Sequence, residues 1–253
     1  AIDQLRRYSN ARREAGEVDE NEGTPRLFFT NQFLVATSFD QAAVGTIGGD
    51  AQHYLEWKDT APLKAAAVAA ELNLPPDAAL SSQQKLIAGM LRPEHLLDII
   101  RHFTLYQQVN GRTVKVVCRY QQFRAVQASV QRLLIGKTRR QDGEHDRRGG
   151  IVWHTQGSGK SLTMVFLMRK LRSLPQLRRF KVVIVTDRKD LQDQLSETAE
   201  LTGETVTVAS SIDAVKKLLS VHGPGIVFAT IQKYAGRDET DPNGEAPGDL
   251  GVL

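Results

Sequence analysis

Apolar and polar positions change their rhythm several times along this chain, and each rhythm predicts a different element. Ile2, Leu5 and Tyr8 recur at a spacing that lines one face of a helix, and the charged stretch from Arg12 to Glu22, closed by Gly23 and Pro25, predicts a loop. Leu27-Phe28-Phe29, Phe33-Leu34-Val35-Ala36-Thr37 and Val44-Gly45-Thr46-Ile47 are short runs rich in β-formers, which predicts three strands and a small sheet. From Ala61 onward Ala and Leu dominate, Pro75-Pro76 breaks the run, and Leu86, Met90, Leu96, Leu97, Ile100 and Phe103 return at roughly helical spacing. That segment reads as a helical connector, with Pro93 placed where a first helical turn tolerates it. A further helix, Gln121 to Leu134, carries Phe123, Val126, Val130 and Leu133-Leu134 on one stripe.

Lys137 to Arg148 mixes basic and acidic residues and predicts an exposed loop. After Gly149-Gly150 the order becomes strand (Ile151 to His154), turn (Thr155 to Gly159), helix (Lys160 to Leu171), strand (Val182 to Thr186), helix (Leu191 to Thr198), short strand (Thr205 to Ala209), helix (Ile212 to Ser220) and strand (Gly225 to Thr230). Such alternation predicts an α/β fold, with a mainly parallel sheet covered by helices on both faces.

Composition narrows the class without naming a function. The 253 residues are 41% apolar and 25% charged, ordinary globular usage that excludes collagen-like, mucin-like and wholly disordered chains. One cysteine, Cys118, excludes an internal disulfide and suits a reducing cytoplasm, and the clustered Cys and His of a zinc module are missing. No apolar run reaches membrane-spanning length. A formal charge of +4 permits a polyanionic partner without proving one. The opening Ala1-Ile2-Asp3-Gln4 has no initiating Met, so the chain is expected to be part of something longer.

The strongest chemical signal is His154-Thr155-Gln156-Gly157-Ser158-Gly159-Lys160-Ser161, between a β-rich run and an amphipathic helix. It reads as a phosphate-binding loop. Successive backbone N–H groups must turn inward toward phosphate oxygens, a shape that side chains obstruct and that left-handed dihedrals often require. The following helix adds its positive end. Thr155, Gly157, Ser158, Gly159, Lys160 and Ser161 are the expected contacts to ATP, with the Lys160 ammonium on the terminal phosphates and the Ser161 hydroxyl on Mg²⁺. The strict pattern has Gly where this chain has His154; the more relaxed helicase form of the loop accepts other residues there.

Upstream, Arg119-Tyr120-Gln121-Gln122-Phe123 opens a helix at a spacing that suits an adenine reader, because a carboxamide offers adenine one donor and one acceptor. Either Gln121 or Gln122 could serve, and a polar helix start packed by Tyr120 and Phe123 is the plain alternative. Downstream, two strands end in polar turns, Thr186-Asp187-Arg188 and Thr230-Ile231-Gln232-Lys233. Strand carboxyl ends are where open α/β sheets bind ligands, so Thr186, Arg188, Thr230, Gln232 and Lys233 are candidates for nucleic-acid phosphates, with solvated loops as the alternative. ATP hydrolysis also needs a carboxylate pair at a strand end. The Asp-Glu pairs Asp19-Glu20 and Asp238-Glu239 do not follow apolar strands, so nucleotide binding without efficient turnover is expected of the 253 residues themselves.

With these pieces placed, the sequence resembles the motor and restriction subunit of type I restriction-modification enzymes. Ile151 to Ser161 is similar to that family's helicase motif I, Arg119-Tyr120-Gln121-Gln122 to its Q motif, and Val185 to Arg188 and Ala229 to Lys233 to its next two motifs. Gln4-Leu5-Arg6-Arg7-Tyr8 fits the Gln-x-x-x-Tyr motif of the family's nuclease domain, where a spacing of four puts both side chains on one helical face. The resemblance implies three regions: the C-terminal part of a PD-(D/E)xK-type nuclease domain (1–60), a helical connector (61–112), and a first RecA-like ATP-binding domain (113–253). It implies Gln4, Tyr8 and Lys160 as catalytic residues, and the acidic box and remaining nuclease carboxylates outside the 253 residues. It also implies ATP and Mg²⁺ as cofactors, and double-stranded DNA and the specificity and methyltransferase subunits as partners. Two other readings stay open: a superfamily 2 helicase or ATPase without a nuclease, and a non-hydrolysing nucleotide-binding interaction module.

Overall fold

The computed structural model describes residues 1–9, 23–38, 40–109, 111–186 and 206–230. The chain divides into two compact units, Ala1–Arg178 and Arg179–Leu253.

The first unit begins with helix α1 (Ile2–Tyr8), whose first turn carries Asp3 and whose last turn carries Arg6 and Arg7, charges that suit the helix dipole. Strands β1 (Leu34–Thr37) and β2 (Ala42–Gly45) pair antiparallel, and Leu55 adds a single bridge to Val44. The expected strand at Leu27 to Phe29 is absent: Pro25–Phe28 is a 3-10 turn. Pro25 fixes the φ of the first position and has no N–H to give a ladder, so the apolar run folds on itself instead.

The segment 61–112, expected to be a helical connector, is helical as far as His102, after which strands replace the helices. Its helices are α2 (Ala65–Glu71), α3 (Ser82–Gly89) and α4 (Pro93–His102). Ser81 caps α3 reciprocally: its hydroxyl accepts from the Gln84 N–H at 3.2 Å, and the Gln84 side chain accepts from the Ser81 N–H at 2.9 Å. Pro93 stands in the first turn of α4. A hairpin that the periodicity does not reveal follows, β3 (Thr104–Val109) and β4 (Arg112–Val117), antiparallel with Val109 opposite Arg112. Its turn includes Gly111 at φ +71°, a left-handed dihedral that a two-residue hairpin loop needs.

Helix α5 (Tyr120–Ile135) follows, then the short α6 (Arg139–Asp142) inside the mostly exposed charged loop, then α7 (Lys160–Ser173). Phe123 on α5 sits at the centre of an aromatic cluster, with ring centroids 5.0 Å from Phe103, 5.5 Å from His95 and 5.9 Å from Trp57, while Phe103 reaches Phe166 of α7 at 5.5 Å. Phe103, Phe123 and Phe166 are fully buried. Each such ring contributes about 1.5–3 kcal/mol relative to exposure, so α4, α5 and α7 are fixed to one another by this cluster. The expected strand at Ile151 to His154 does not form. Ile151 and Trp153 are 94% and 87% exposed, and among the described residues no strand edge pairs with them, without which an apolar run cannot be a strand.

The second unit contains a parallel sheet in the order β5-β7-β6, built from β5 (Lys181–Thr186), β6 (Val206–Val208) and β7 (Gly225–Thr230). Helix α8 (Ile212–Ser220), capped by the Ser211 hydroxyl, packs Val215 against Ala209, Val227 and Ala229. The predicted helix Leu191 to Thr198 lies outside the described residues, as do both Asp-Glu pairs. The parallel α/β arrangement is the one the alternating pattern predicts. No helix among the described residues is long and apolar enough to cross a membrane.

Candidate functional site

Gly157 and Gly159 adopt φ of +74° and +82°, the left-handed region that the turn between Thr155 and α7 demands. Within the turn the Thr155 carbonyl gathers donors. It accepts from the Ser158 hydroxyl at 2.6 Å, the Ser158 N–H at 3.3 Å and the Lys160 ammonium at 3.3 Å. Lys160 is exposed and bonded here to a neutral carbonyl, so its charge stays available to an anion. Ser161 lies in the first turn of α7, where unsatisfied N–H groups and the helix dipole favour negative charge.

The Gly159 carbonyl accepts from the Thr163 hydroxyl of α7 at 3.2 Å and from the side chain of Gln122 on α5. The Gln122 oxygen accepts from the Arg119 N–H at 2.8 Å and its amide donates to the Gly159 carbonyl at 2.9 Å. Only 2% of Gln122 is exposed. A Cβ at position 159 would stand 2.5 Å from the Gln122 amide nitrogen, so glycine is required there by space as well as by dihedral. Of the two glutamines left open by sequence, the structure brings Gln122 to the glycine-rich turn. Gln121 keeps a buried side-chain oxygen without a hydrogen-bond partner, and the His154 Nδ1 is likewise buried and unpaired.

Beside the turn lies a cavity of about 510 Å³, within the range of small-molecule sites. It is lined by Gly157, Gly159, Leu162, Arg119 and Gln122, by β4 from Val114 to Val117, and by residues of the segment from Gly45 to Leu55. The hairpin wall escaped the sequence reading. Asn110-Gly111 between two β-prone runs was the signal that could have found it.

Behind the site, Asp98 of α4 ties the elements together. It accepts from His102 Nδ1 and from the Lys170 ammonium of α7, each at 2.6 Å, and from the Gln127 amide of α5 at 2.5 Å. Burial pushes the Asp98 carboxyl up, but its donors outweigh that and hold it below the usual carboxylate range. Cys118 is buried and free, its thiol pushed well up by burial and by the Asp98 charge. Burial and inertness fit a core position.

The remaining predicted residues fall elsewhere. Gln4 and Tyr8 share α1, both exposed, with the Arg7 guanidinium 5.9 Å from the Tyr8 ring centre. In the second unit Thr186 and Thr230 stand opposite each other at the carboxyl ends of adjacent parallel strands, with Thr186 buried. Arg188, Gln232 and Lys233 lie outside the described residues. Among the described residues no group of three or more His, Cys, Asp or Glu is placed to hold a metal.

A glycine-rich turn held by a glutamine of the preceding helix and a parallel sheet both fit a RecA-like fold, and comparison with known families agrees. A sequence model described as SWI2/SNF2 ATPase matches residues 121–250. The chain belongs to the SWI2/SNF2 ATPase family. The match runs from the glutamine pair through both strand ends of the second unit, and the family description implies use of ATP. Over most of its length the chain also resembles type I restriction endonuclease subunits. It is 34% identical over 220 residues, 84% of this chain, to the type I restriction enzyme HindI endonuclease subunit of Haemophilus influenzae. It is 34% identical over 160 residues, 62% of this chain, to the endonuclease subunit of the type I restriction enzyme MjaIXP of Methanocaldococcus jannaschii. The matched region spans 20% and 14% of those two relatives.

Proposed function

We propose that this chain is part of the ATP-dependent DNA translocase and endonuclease subunit of a type I restriction enzyme. In this reading the subunit pumps duplex DNA and cleaves it away from the recognition site, in the cytoplasm, with specificity and methyltransferase subunits as partners. Residues 1–60 belong to its nuclease domain, 61–112 to a connector and 113–253 to the first motor domain. The observation that supports it best is the hydrogen bond from Gln122 to Gly159 beside the cavity, because it brings the helix start proposed to read adenine against the turn proposed to read phosphate.

The residues present fit a magnesium-nucleotide. Gly157 and Gly159, both left-handed, put no side chain at their positions of the turn, and both line the cavity. Gly157 and Gly159 would hold phosphate oxygens by their backbone N–H groups, Ser158 by its N–H on release from the Thr155 carbonyl, Lys160 by its ammonium, and Thr155 would set the curvature of the turn. The Ser161 hydroxyl would supply one oxygen to Mg²⁺, an ion that keeps most of its shell in water and phosphate. Arg119, Gln121 and Gln122 would serve the base side. When bound, the nucleotide supplies the phosphoanhydride whose cleavage drives movement along DNA. Thr186, Arg188, Thr230, Gln232 and Lys233 would contact the DNA backbone, and Gln4 and Tyr8 would assist the nuclease.

Lys160→Ala in the intact subunit tests the motor assignment. Loss of nucleotide binding or of DNA-stimulated ATPase activity by about two to three orders of magnitude is expected, since a preorganised charge on the phosphates is removed. Unchanged ATPase activity would refute the site. Tyr8→Ala is expected to lower DNA cleavage while sparing ATPase activity, and equal loss of both would argue against a nuclease role.

A further inference from the structure

The cavity beside the glycine-rich turn has a wall with no part in the motifs above, the segment from Thr46 to His53 that follows β2. It is built rather than loose. The Thr46 hydroxyl, buried, donates to the Lys115 carbonyl of β4 at 2.6 Å. The Gly49 N–H donates back to the Thr46 carbonyl at 3.1 Å, and the His53 N–H to the Asp50 carbonyl at 2.9 Å. Gly48 and Gly49 present no side chain to the cavity, which leaves Asp50 as its one carboxylate-bearing lining residue. The Asp50 side chain is 56% exposed, and its carboxylate lies 4.0 Å from the Arg6 guanidinium of α1.

A nucleotide has two polar ends that want opposite chemistry. Its phosphates need amides and cations, which the turn and Lys160 provide, and a carboxylate there would be repelled. Its ribose hydroxyls are donors that need acceptors, and an ionised carboxylate can accept two at once. In this cavity Gln122 commits one lone pair to the Arg119 N–H and one amide N–H to the Gly159 carbonyl, and it carries no charge. Asp50 is the one carboxylate among the residues lining the cavity, and it comes from a different segment than Gly157 and Gly159. An acidic side chain holding ribose hydroxyls is a general solution in nucleotide sites.

We infer that the Thr46–His53 segment closes the sugar side of the nucleotide pocket and that Asp50 accepts a ribose hydroxyl, making it a specificity-determining residue for ribo- over deoxyribonucleotides. The inference rests on the nucleotide reading of the glycine-rich turn. If it holds, the pocket is completed by residues from the region preceding the connector.

Equilibrium binding of ATP, 2′-deoxy-ATP, 3′-deoxy-ATP and inorganic tripolyphosphate to the intact subunit tests it, with Asp50→Asn, Asp50→Ala and Lys160→Ala compared against wild type. Wild type is expected to prefer ATP over at least one deoxy analogue by about tenfold, the usual worth of a hydrogen bond to a charged group. Both Asp50 variants are expected to bind ATP only as well as that analogue, with tripolyphosphate binding unchanged. ATP binding that depends on Lys160 but shows no preference for ribose, or a preference that survives in both Asp50 variants, would overturn the Asp50 role alone. Lys160-independent binding, or none, would instead overturn the underlying nucleotide reading.

Discussion

Both units have apolar interiors, but among the described residues the first unit, bearing the glycine-rich turn, adds buried polar ties between distant segments. In the first, buried polar groups join distant parts of the chain: Gln122 to Gly159, Asp98 to Lys170, and Thr46 to Lys115. In the second, among the described residues, the interior is Ile184, Ala209, Val215, Ile226, Val227, Phe228 and Ala229, crossed by parallel backbone ladders. Among the described residues its side-chain ties to main chain include the Lys181 ammonium on the Leu218 and Val221 carbonyls. Apolar packing tolerates substitutions of similar volume, whereas a hydrogen bond is directional and its loss strands a partner. Substitutions in the sheet should therefore register as stability, and substitutions around the turn as altered geometry of the site.

The largest expected effect on folding comes from the sheet. Phe228 is fully buried at the centre of β7, between β5 and β6. Phe228→Ala removes an entire ring and leaves a cavity, at a cost of about 3–5 kcal/mol. Hydrogen exchange of the β5 and β7 amides reads this directly, and protection equal to wild type would show that apolar packing is not what holds the sheet.

Next in size is Asp98→Asn, which removes a charge from Lys170 and turns an amide toward the Gln127 donor. A loss of about 1.5–3 kcal/mol at neutral pH is expected, the range for hydrogen bonds to charged groups. The pH dependence has a definite sign. Because the folded Asp98 carboxyl sits below its ordinary value, its contribution is present above about pH 4, the unfolded value, and is lost as pH falls through the folded one. Wild type should lose stability faster than Asp98→Asn on acidification from about pH 4 downward, and the gap between them should narrow. Parallel curves would mean that Asp98 does not carry the link between α4, α5 and α7.

The same contrast explains what could be read from sequence. The turn at 157–159 was legible because its demand is local: two left-handed dihedrals that glycine meets, followed at once by a helix. The strands of the second unit were legible because Val182 to Thr186 and Gly225 to Thr230 are short β-prone runs bounded by turn residues. Leu27 to Phe29 was misjudged because Pro25 outweighs three β-formers, and Ile151 to Trp153 because a strand depends on an edge elsewhere in the chain. The Gln122 clasp spans thirty-seven positions, so no local pattern distinguishes it from Gln121. The cavity wall from Gly45 to Leu55 was hidden for the same reason, since only tertiary contact brings it to the turn.

Gly159→Ala sharpens the comparison at the smallest cost in stability. An alanine at φ +82° carries about 1–2 kcal/mol of strain, and its Cβ would lie 2.5 Å from the Gln122 amide nitrogen. Gln122 must then leave the Gly159 carbonyl, opening the clasp without disturbing the aromatic cluster behind it. Nucleotide affinity should fall well beyond what the loss of stability accounts for, because the turn no longer holds its curvature. A double-mutant cycle with Gln122→Ala gives the decisive number. If the two residues act through one bond, the second substitution should do little damage after the first, with a coupling of about 0.5–3 kcal/mol in nucleotide binding. Additive losses would mean that Gln122 and Gly159 serve the pocket separately, and the turn would then owe its shape to its own backbone alone.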